Sequence, residues 1–382
     1  RRQRQMCIRD RRLKIPPTIY HLHDWQTALV AVYLHRDRRR DVRSVFTIHN
    51  LAYHGLVEPD QLRNLGLDWW YFHWQRLEFY GKVNLLKGGI LYSDLVTTVS
   101  PRYAQEIQTP EFGCGLEGVL REKADRIVGI LNGIDTKLWN PANDPYLPAR
   151  YSVSDLERTP PGKRWGKTVC RDALFERSKI EKTHKPLFGM VTRLVEQKGI
   201  PILIPLLQVL LQEGYPCVLL GRGAPEYEKK LRDLKAAFPK SFGLFLTFDV
   251  ALSHLIEAGS DIYLMPSRFE PCGLNQLYSM RYGTVPVVRR TGGLADSVVP
   301  YSPEALKEGR STGFVFEDYT PQAFLEAVRQ AISVFADKSE WKQLMLNGMK
   351  QDFSWSRSAR KYIECYEKLL SELKSELGSE IQ

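Results

Sequence analysis

The stretch "DIYLMPSRFEPCGLNQLY", residues 261–278, places an acid, a cysteine and a glycine where an apolar strand gives way to a helical pattern. In a chain that alternates strands with helices, such a junction presents backbone N–H groups and the positive end of a helix dipole, and both favour bound anions. We expect Glu270 to reach the group that the anion carries. The other predicted ligand-binding residues of this turn are Cys272, Gly273, Leu274 and Asn275.

Short runs rich in valine, isoleucine and leucine recur along the whole chain, each followed by a segment with helical spacing. Examples are "SVFTIHN" (44–50), "LVTTVS" (95–100), "CVLLGRG" (217–223) and "TVPVVRR" (284–290). Continuous apolar strands that alternate with helices predict parallel sheets covered on both faces. The fold class is therefore α/β, with two Rossmann-like, doubly wound domains and a ligand cleft facing the carboxyl ends of both sets of strands.

The strand pattern lapses into proline-rich, polar sequence between residues 134 and 185, and we expect the domain boundary near residue 165. Residues 18–165 are the predicted first domain and residues 166–352 the second. The amphipathic segment 353–382 is expected to form a long helix that packs back on the first domain. The length of 382 residues agrees with two domains rather than one.

The net charge of +10 is concentrated at the amino terminus, where "RRQRQMCIRDRRLK" holds seven basic residues and one acid. Such an arm is able to bind nucleic acid or an anionic membrane, but it lacks the interleaved aromatic residues of a stacking platform. We therefore expect neither nucleic acid nor a membrane as a partner. Residues 1–17 are interpreted as a basic tail that is disordered or foreign to the protein.

The six cysteines lie far apart, without a C-x-x-C pair or a histidine ladder. This spacing argues against a zinc site and a disulfide framework, and it favours a reducing compartment. No metal site is predicted.

Polar residues follow the strands of the first half at the edge where open α/β sheets carry their active sites. These are Asp24 in "HLHDW", His49 in "TIHN" and Asn132 in "ILNGID". Each has an alternative structural role: Asp24 as a helix cap, His49 as a hydrogen-bonded core histidine and Asn132 as part of a turn. Their shared position after strands favours a site.

In the second half, "VTRLVEQKG" places Arg193 and Lys198 on a loop that leaves a strand. A guanidinium and an ammonium group in this position suit a diphosphate, and they are able to neutralise a departing diphosphate without a metal ion. A further strand end, "RRTGGLADSV", adds Thr291, Gly292 and Gly293, where glycine lets the backbone approach a ligand closely. The strand-to-helix turns contain no G-x-G-x-x-G, G-K-[ST] or G-x-S-x-G motif, which argues against dinucleotide oxidoreductases, P-loop NTPases and α/β-hydrolases.

Taken together and in order, these motifs resemble the bacterial glycogen synthases and plant starch synthases from about residue 18 to about residue 370. Besides the segments quoted above, the resemblance rests on "FTIHNLAYHG", "LLKGGILYSDLVTTVSPRYAQEI", "EFGCGLEGVL", "LNGIDTKLWNP" and "TGFVFED". It implies a GT-B glycosyltransferase that moves glucose from ADP-glucose to the non-reducing end of an α-1,4-glucan with retention. It also implies no cofactor besides the donor substrate, and a location in the bacterial cytoplasm or a plastid.

The resemblance implies roles for the residues named above. Arg193 and Lys198 would hold the diphosphate, and Glu270 would lie beside the transferred glucose. Phe248 corresponds to an aromatic residue that stacks on adenine. The residues implied to line the donor sugar and acceptor side are Asp24, His49, Asn132 and the loop 112–118.

The chain departs from the family pattern in two places. Tyr278 stands where many proteins of this fold carry a second glutamate, a replacement shared by glycogen and starch synthases. The family's lysine-glycine-glycine loop should precede residue 18, where this chain has only its arginine-rich stretch, so we expect a truncated first domain with reduced stability and impaired activity. Two alternatives stay open: a non-catalytic glucan- or nucleotide-binding remnant, and a glucosyltransferase that uses UDP-glucose.

Overall fold

A computed structural model describes the backbone of residues 18–379, and its side chains up to Glu376. The predicted basic tail of residues 1–17 lies outside the described residues. The contacts divide the chain into two compact units. The first unit takes the chain up to Asn132 and again from Ser356 onward, and the second is Gly133–Trp355.

The first unit contains a four-stranded parallel sheet in the order β1-β2-β6-β7 and a small antiparallel sheet in the order β3-β5-β4. Its strands are β1 (Ile19–His23), β2 (Arg43–Ile48), β3 (Leu56–Val57), β4 (Glu78–Phe79), β5 (Lys82–Asn84), β6 (Leu95–Thr98) and β7 (Ile127–Gly129). Its helices are α1 (Asp24–Arg36), α2 (Gln61–Asn64), α3 (Leu85–Tyr92), α4 (Pro101–Glu106) and α5 (Glu117–Glu122), with 3₁₀ turns at Trp69–Tyr71 and Ala124–Arg126. Every residue of β2 and β6 is buried, as expected for strands covered on both faces.

The second unit contains a six-stranded parallel sheet in the order β10-β9-β8-β11-β12-β13. Its strands are β8 (Phe188–Val191), β9 (Cys217–Leu220), β10 (Phe242–Phe245), β11 (Ile262–Met265), β12 (Val285–Arg289) and β13 (Phe314–Phe316). Its helices are α6 (Val153–Arg158), α7 (Gly166–Ser178), α8 (Ile200–Gln212), α9 (Pro225–Ala237), α10 (Val250–Gly259), α11 (Asn275–Arg281), α12 (Gly292–Ser297), α13 (Pro303–Lys307), α14 (Pro321–Ala336) and α15 (Lys338–Met349), with a 3₁₀ turn at Glu196–Lys198. The strand order leaves β8 and β11 adjacent, so the loops that follow these two strands are neighbours.

The long carboxyl-terminal helix, α16 (Trp355–Ser379), belongs to the first unit from Ser356 onward. Its buried Leu369 packs with Val45 of β2 and Leu95 of β6. Arg126 forms an ion pair with Glu372 of the helix at 2.9 Å. Within residues 18–379, no helix combines the length and the apolar character needed to cross a bilayer.

The division between the units falls at residue 133, earlier than the predicted boundary near residue 165. The reason is a buried polar cluster: Asp144 Oδ2 lies 2.7 Å from His254 Nδ1 and accepts a 2.5 Å hydrogen bond from the Tyr282 hydroxyl. All three side chains are buried within the second unit. The proline-rich segment is therefore part of that unit rather than a linker between the two.

Candidate functional site

The carboxylate of Glu270 and the ammonium group of Lys198 form an ion pair of 2.6 Å in the second unit. Lys198 ends the 3₁₀ turn after β8, and Glu270 lies in the turn after β11. The hydroxyl of Ser267 donates to the same carboxylate oxygen at 2.9 Å. Since the Glu270 side chain is only 6% exposed, these two groups fix its orientation.

The turns around this pair are packed backbone against backbone. Gly292 has φ +42°, and a β-carbon at this position would lie 1.9 Å from the carbonyl oxygen of Glu270. A β-carbon on Gly293 would lie 2.0 Å from the carbonyl oxygen of Cys272, and the Gly293 amide donates to the Glu270 carbonyl at 3.1 Å. The two glycines therefore hold the Glu270 turn in place, and Thr291 directly before them is buried.

Replacing Gly292 with alanine is expected to destabilise the protein by about 2–5 kcal/mol. The new methyl group would overlap the backbone of Glu270, and alanine is strained in the left-handed conformation that Gly292 adopts. Urea unfolding gives the change in the free energy of unfolding. Gly118→Ala is the matched control, since a β-carbon there would meet no atom within 4 Å besides those of its chain neighbours and its own helix backbone, and the site is helical. The control is expected to stabilise by about 0.5–1 kcal/mol. Equal effects of the two substitutions would contradict the packing argument.

Asn275 begins α11 with its side-chain amide held inside the domain. Its Nδ2 donates to the carbonyl oxygen of Val191 at 2.9 Å and to the hydroxyl of Tyr263 at 2.7 Å. Both amide hydrogens are thus used, which leaves the carbonyl oxygen of Asn275 as the atom able to accept from a ligand. Leu274 and Gly273 precede it, and Gly273 has φ +68°.

A cavity of about 460 Å³ opens beside these residues within the second unit. Its lining includes Arg193 and Asn275, which were predicted as ligand-binding residues, and Phe248, whose side chain is 88% exposed. Trp139 and Tyr278 form an aromatic wall with their rings stacked at a centroid distance of 3.7 Å. Burial raises the pKa of the Tyr278 hydroxyl to about 12.

Trp139 was not predicted to belong to a site. Its opposite face stacks on His254 at 4.0 Å, so the indole is held between two rings. The residue lies in "LWNP" within the proline-rich segment, and a tryptophan in an otherwise polar segment was the available signal.

In the first unit, Asp24 and His49 contact each other at the ends of β1 and β2. The Asp24 carboxylate accepts a 2.8 Å hydrogen bond from the backbone amide of His49. Asp24 has φ +52° and is the first residue of α1, preceded at the N-cap position by His23. The alternative of Asp24 as the helix cap is therefore wrong, and its strained backbone is the kind found at functional sites.

A run of histidines lies next to this contact. His23 Nδ1 lies 3.0 Å from His49 Nε2, and the rings of His21 and His23 stack at 4.3 Å. Burial and the neighbouring histidines lower the pKa of His21 to about 4. No role was predicted for His21, although two histidines at a spacing of two point to one face of a strand.

The predicted residues thus fall into one group in each unit. Lys198, Glu270, Arg193, Phe248 and Asn275 lie in the second unit, and Asp24, His49 and Asn132 lie in the first. The side-chain oxygen of Asn132 is buried without a hydrogen-bond partner in the described part of the chain. Over residues 18–379, no group of three or more histidine, cysteine or acidic side chains is arranged to hold a metal ion.

Two family models match the chain: "Starch synthase catalytic domain" over residues 5–122 and "Glycosyl transferases group 1" over residues 172–343. Glycogen synthase 1 of Methylococcus capsulatus is 47% identical over 356 residues, which cover 93% of this chain and 70% of the relative. The glycogen synthase of Anaeromyxobacter sp. is 47% identical over 363 residues, covering 94% and 74%. The chain belongs to the glycogen and starch synthase family.

A solved relative gives the same assignment. The catalytic domain of starch synthase IV from Arabidopsis thaliana, bound to ADP and acarbose, superposes with a TM-score of 0.88 at 37% identity, covering 97% of this chain and 76% of that one. This family member is thus a GT-B glycosyltransferase that transfers glucosyl units, and the fold class and activity predicted from the sequence are confirmed. A non-catalytic remnant is not favoured. The first family match begins at residue 5, inside the segment interpreted as a disordered or foreign tail.

Proposed function

We propose that this glycosyltransferase moves glucose from ADP-glucose onto the non-reducing end of an α-1,4-glucan with retention at the anomeric carbon. The observation that carries the proposal is the buried Lys198–Glu270 pair in the same unit as a cavity lined by Arg193 and Phe248. The solved relative with ADP bound supports the adenine nucleotide, because ADP is the leaving group of ADP-glucose.

The charges in the second unit suit the bond that breaks. Cleaving a glycosyl-phosphate bond builds negative charge on the leaving diphosphate and positive charge on the sugar ring. Arg193 and Lys198 stabilise the diphosphate, and the Glu270 carboxylate stabilises the ring. Since these side chains supply the charges, the proposed reaction uses no metal ion or other cofactor.

Retention has two possible routes, and we favour attack by the acceptor hydroxyl on the same face from which the diphosphate departs, with a phosphate oxygen as the base. A covalent route needs a carboxylate nucleophile. Glu270 is the acid that the proposal places beside the ring, and one of its oxygens is engaged by both Lys198 and Ser267. Mass spectrometry of the enzyme quenched during turnover is expected to show no glucosyl adduct, and an adduct on Glu270 would contradict this route.

The nucleotide base is proposed to stack on Phe248, because this exposed ring lies at the rim of the cavity. Phe248→Ala is expected to raise the KM for ADP-glucose about 5- to 150-fold, as one base–aromatic stack contributes about 1–3 kcal/mol, while kcat changes little. Initial rates at varied donor concentration measure both constants. Phe238→Ala is a control in the same unit that does not line the cavity. An unchanged KM for Phe248→Ala would exclude the stack.

The reaction itself is tested by incubating the purified chain with labelled ADP-glucose and glycogen. We expect label to enter the glucan, unlabelled ADP-glucose to compete better than UDP-glucose, and EDTA to leave the rate unchanged. Better competition by UDP-glucose would mean that UDP-glucose, and not ADP-glucose, is the donor. Loss of activity with EDTA would mean that the reaction needs a metal ion. Glucan binding without incorporation would overturn the activity for this chain.

The acceptor side of the proposal uses the first unit. Asp24, His49, Asn132 and the loop 112–118 are proposed to contact the donor sugar and the glucan, a role that stays a prediction. The proposed location is the bacterial cytoplasm or a plastid, in keeping with bacterial relatives and a plant relative.

A further inference from the structure

Two helices line the donor cavity, and they follow strands that are not neighbours in the sheet. Helix α10 follows β10 and helix α11 follows β11, whereas β9 and β8 lie between these two strands. The cavity lining includes Arg193 and Leu220 from the ends of β8 and β9, Ser253 from α10, and Asn275 and Tyr278 from α11. The separation of α10 from α11 therefore sets the width of the cavity.

The indole of Trp139 lies between these two helices and contacts both. One face stacks on the ring of His254 in α10, with the centroids 4.0 Å apart and 7° between the ring planes. The other face stacks on the ring of Tyr278 in α11 at 3.7 Å and 11°. Since three nearly parallel rings in contact leave no space between them, neither helix is able to approach the other. Trp139 belongs to neither helix, and it thus acts as a spacer between them.

A buried polar cluster holds the segment that carries Trp139. Asp144 lies five positions after Trp139, and its Oδ2 is 2.7 Å from His254 Nδ1 and 2.5 Å from the Tyr282 hydroxyl. Although burial opposes ionisation, the hydrogen bonds from His254 and Tyr282 lower the pKa of Asp144. An ionised carboxylate only accepts hydrogen bonds, so His254 Nδ1 carries a proton and donates it. One carboxylate thereby fixes both the Trp139 segment and the ring on which the indole lies.

The ring stack leads from the interior of the domain to the cavity. His254 at one end is 1% exposed, whereas Trp139 and Tyr278 are partly exposed and line the cavity. Burial raises the pKa of the Tyr278 hydroxyl to about 12, so this end of the stack is uncharged at neutral pH and does not repel an anionic nucleotide. The stack therefore presents a neutral aromatic surface to the ligand.

We propose that Trp139 is a positioning residue for the donor nucleotide: held by His254 and Asp144, its indole fixes the Tyr278 ring and the separation of α10 from α11. This inference rests on the proposed function, which assigns the cavity to the nucleotide. A cavity of preset width binds its ligand without the cost of ordering the wall first. Loss of the spacer should therefore weaken nucleotide binding more than it slows the chemical step, whose charges are assigned to Lys198 and Glu270.

The first test measures ADP binding by isothermal titration calorimetry and the steady-state constants for ADP-glucose in the full chain. Trp139→Leu is expected to weaken ADP binding and raise the donor KM by about 3- to 10-fold, the size expected for one lost aromatic stack. Its kcat should change less than about twofold, because the stack is not assigned to the chemical step. Trp139→Phe keeps an aromatic face and should bind ADP within about twofold of wild type. Wild-type ADP affinity in Trp139→Leu, or the same loss in both variants, would overturn the role of the stack.

Trp341→Leu is the matched control for the loss of an indole. Trp341 is 4% exposed in the same unit, stacks on Phe314 and does not line the donor cavity. Both leucine variants are expected to lower the Tm, but only Trp139→Leu should weaken ADP binding. An equal loss of ADP affinity in Trp341→Leu would mean that general destabilisation is the cause, and it would overturn the positioning role.

A double-mutant cycle tests the route through His254 and keeps the proposal falsifiable if Trp139→Leu folds poorly. His254→Asn keeps a side-chain N–H able to donate to Asp144 and removes the ring that stacks on Trp139. It is expected to weaken ADP binding on its own by about 2- to 5-fold, and to add nothing in the Trp139→Leu background. Unchanged ADP affinity in His254→Asn, or independent effects of the two substitutions, would overturn the coupling.

ADP binding without glucan separates this inference from the proposed function, because calorimetry with ADP alone needs no turnover. Glucose incorporation by the wild type is measured in parallel. If the wild type binds ADP in a way that depends on Trp139 but transfers no glucose, the proposed function fails and the positioning role stands. If it transfers glucose while Trp139→Leu binds ADP as the wild type does, the positioning role fails and the function stands.

Discussion

Replacing Lys198 with methionine is expected to lower kcat about 30- to 1,000-fold, which corresponds to about 2–4 kcal/mol in the barrier. The variant loses a cation that stabilises the charge developing on the leaving diphosphate. It also leaves the buried carboxylate of Glu270 without the ammonium group that now lies 2.6 Å away. An uncompensated buried charge adds to the loss, so we expect the effect to lie towards the upper end of the range.

The affinity for glucan should stay close to the wild-type value in this variant although kcat falls, because Lys198 is assigned to the leaving group and not to the acceptor. Initial rates with labelled ADP-glucose give kcat, and binding to immobilised glycogen gives the affinity. Lys229→Met is the matched control, since that lysine is 77% exposed and pairs with Asp233 on the surface of α9. Loss of glycogen binding with normal turnover would contradict the assigned role.

The sequence was sufficient to predict that Lys198 and Glu270 lie together, because both residues are in loops that follow apolar strands. Their role in the reaction stays a prediction. In a parallel sheet the carboxyl ends of adjacent strands lie side by side, so polar residues at those ends converge even when they are far apart in sequence. Lys198 and Glu270 are separated by 72 positions and meet for this reason. The same rule correctly placed Arg193 and Asn275 around one cavity.

Features that depend on packing could not be predicted in this way. Glu257 lies on a helix whose sequence gives no sign that its side chain is buried against the cavity. Residue type alone predicts that Asp24 caps a helix. Its φ of +52° and the hydrogen bond that its carboxylate accepts from the His49 amide show that it does not. The domain boundary was placed late because the proline-rich segment contains no strand, although Asp144 within it is anchored to His254. Each of these depends on contacts between distant segments, which local pattern does not encode.

Substituting Glu270 with glutamine is expected to reduce glucose incorporation at least about 100- to 1,000-fold, because the ring loses the negative charge that stabilises its developing positive charge. The amide has nearly the same shape, so the loss reports on charge and not on packing. Glucan binding should persist, since the acceptor residues are proposed to lie in the first unit. Incorporation near the wild-type rate would remove Glu270 from the mechanism.

Combining Lys198→Met with Glu270→Gln separates a direct role from a disturbed ion pair. In the double variant no buried charge is left unpaired, so the lost activity is expected to be smaller than the sum of the two single losses in free energy. Thermal unfolding should likewise place the double variant above Lys198→Met in Tm, because the single variant retains a carboxylate that is 6% exposed without its partner. If the changes in the free energies of activation and of unfolding are strictly additive, the two side chains act independently. Lys198 and Glu270 would then make two separate contacts to the substrate instead of forming one preorganised pair.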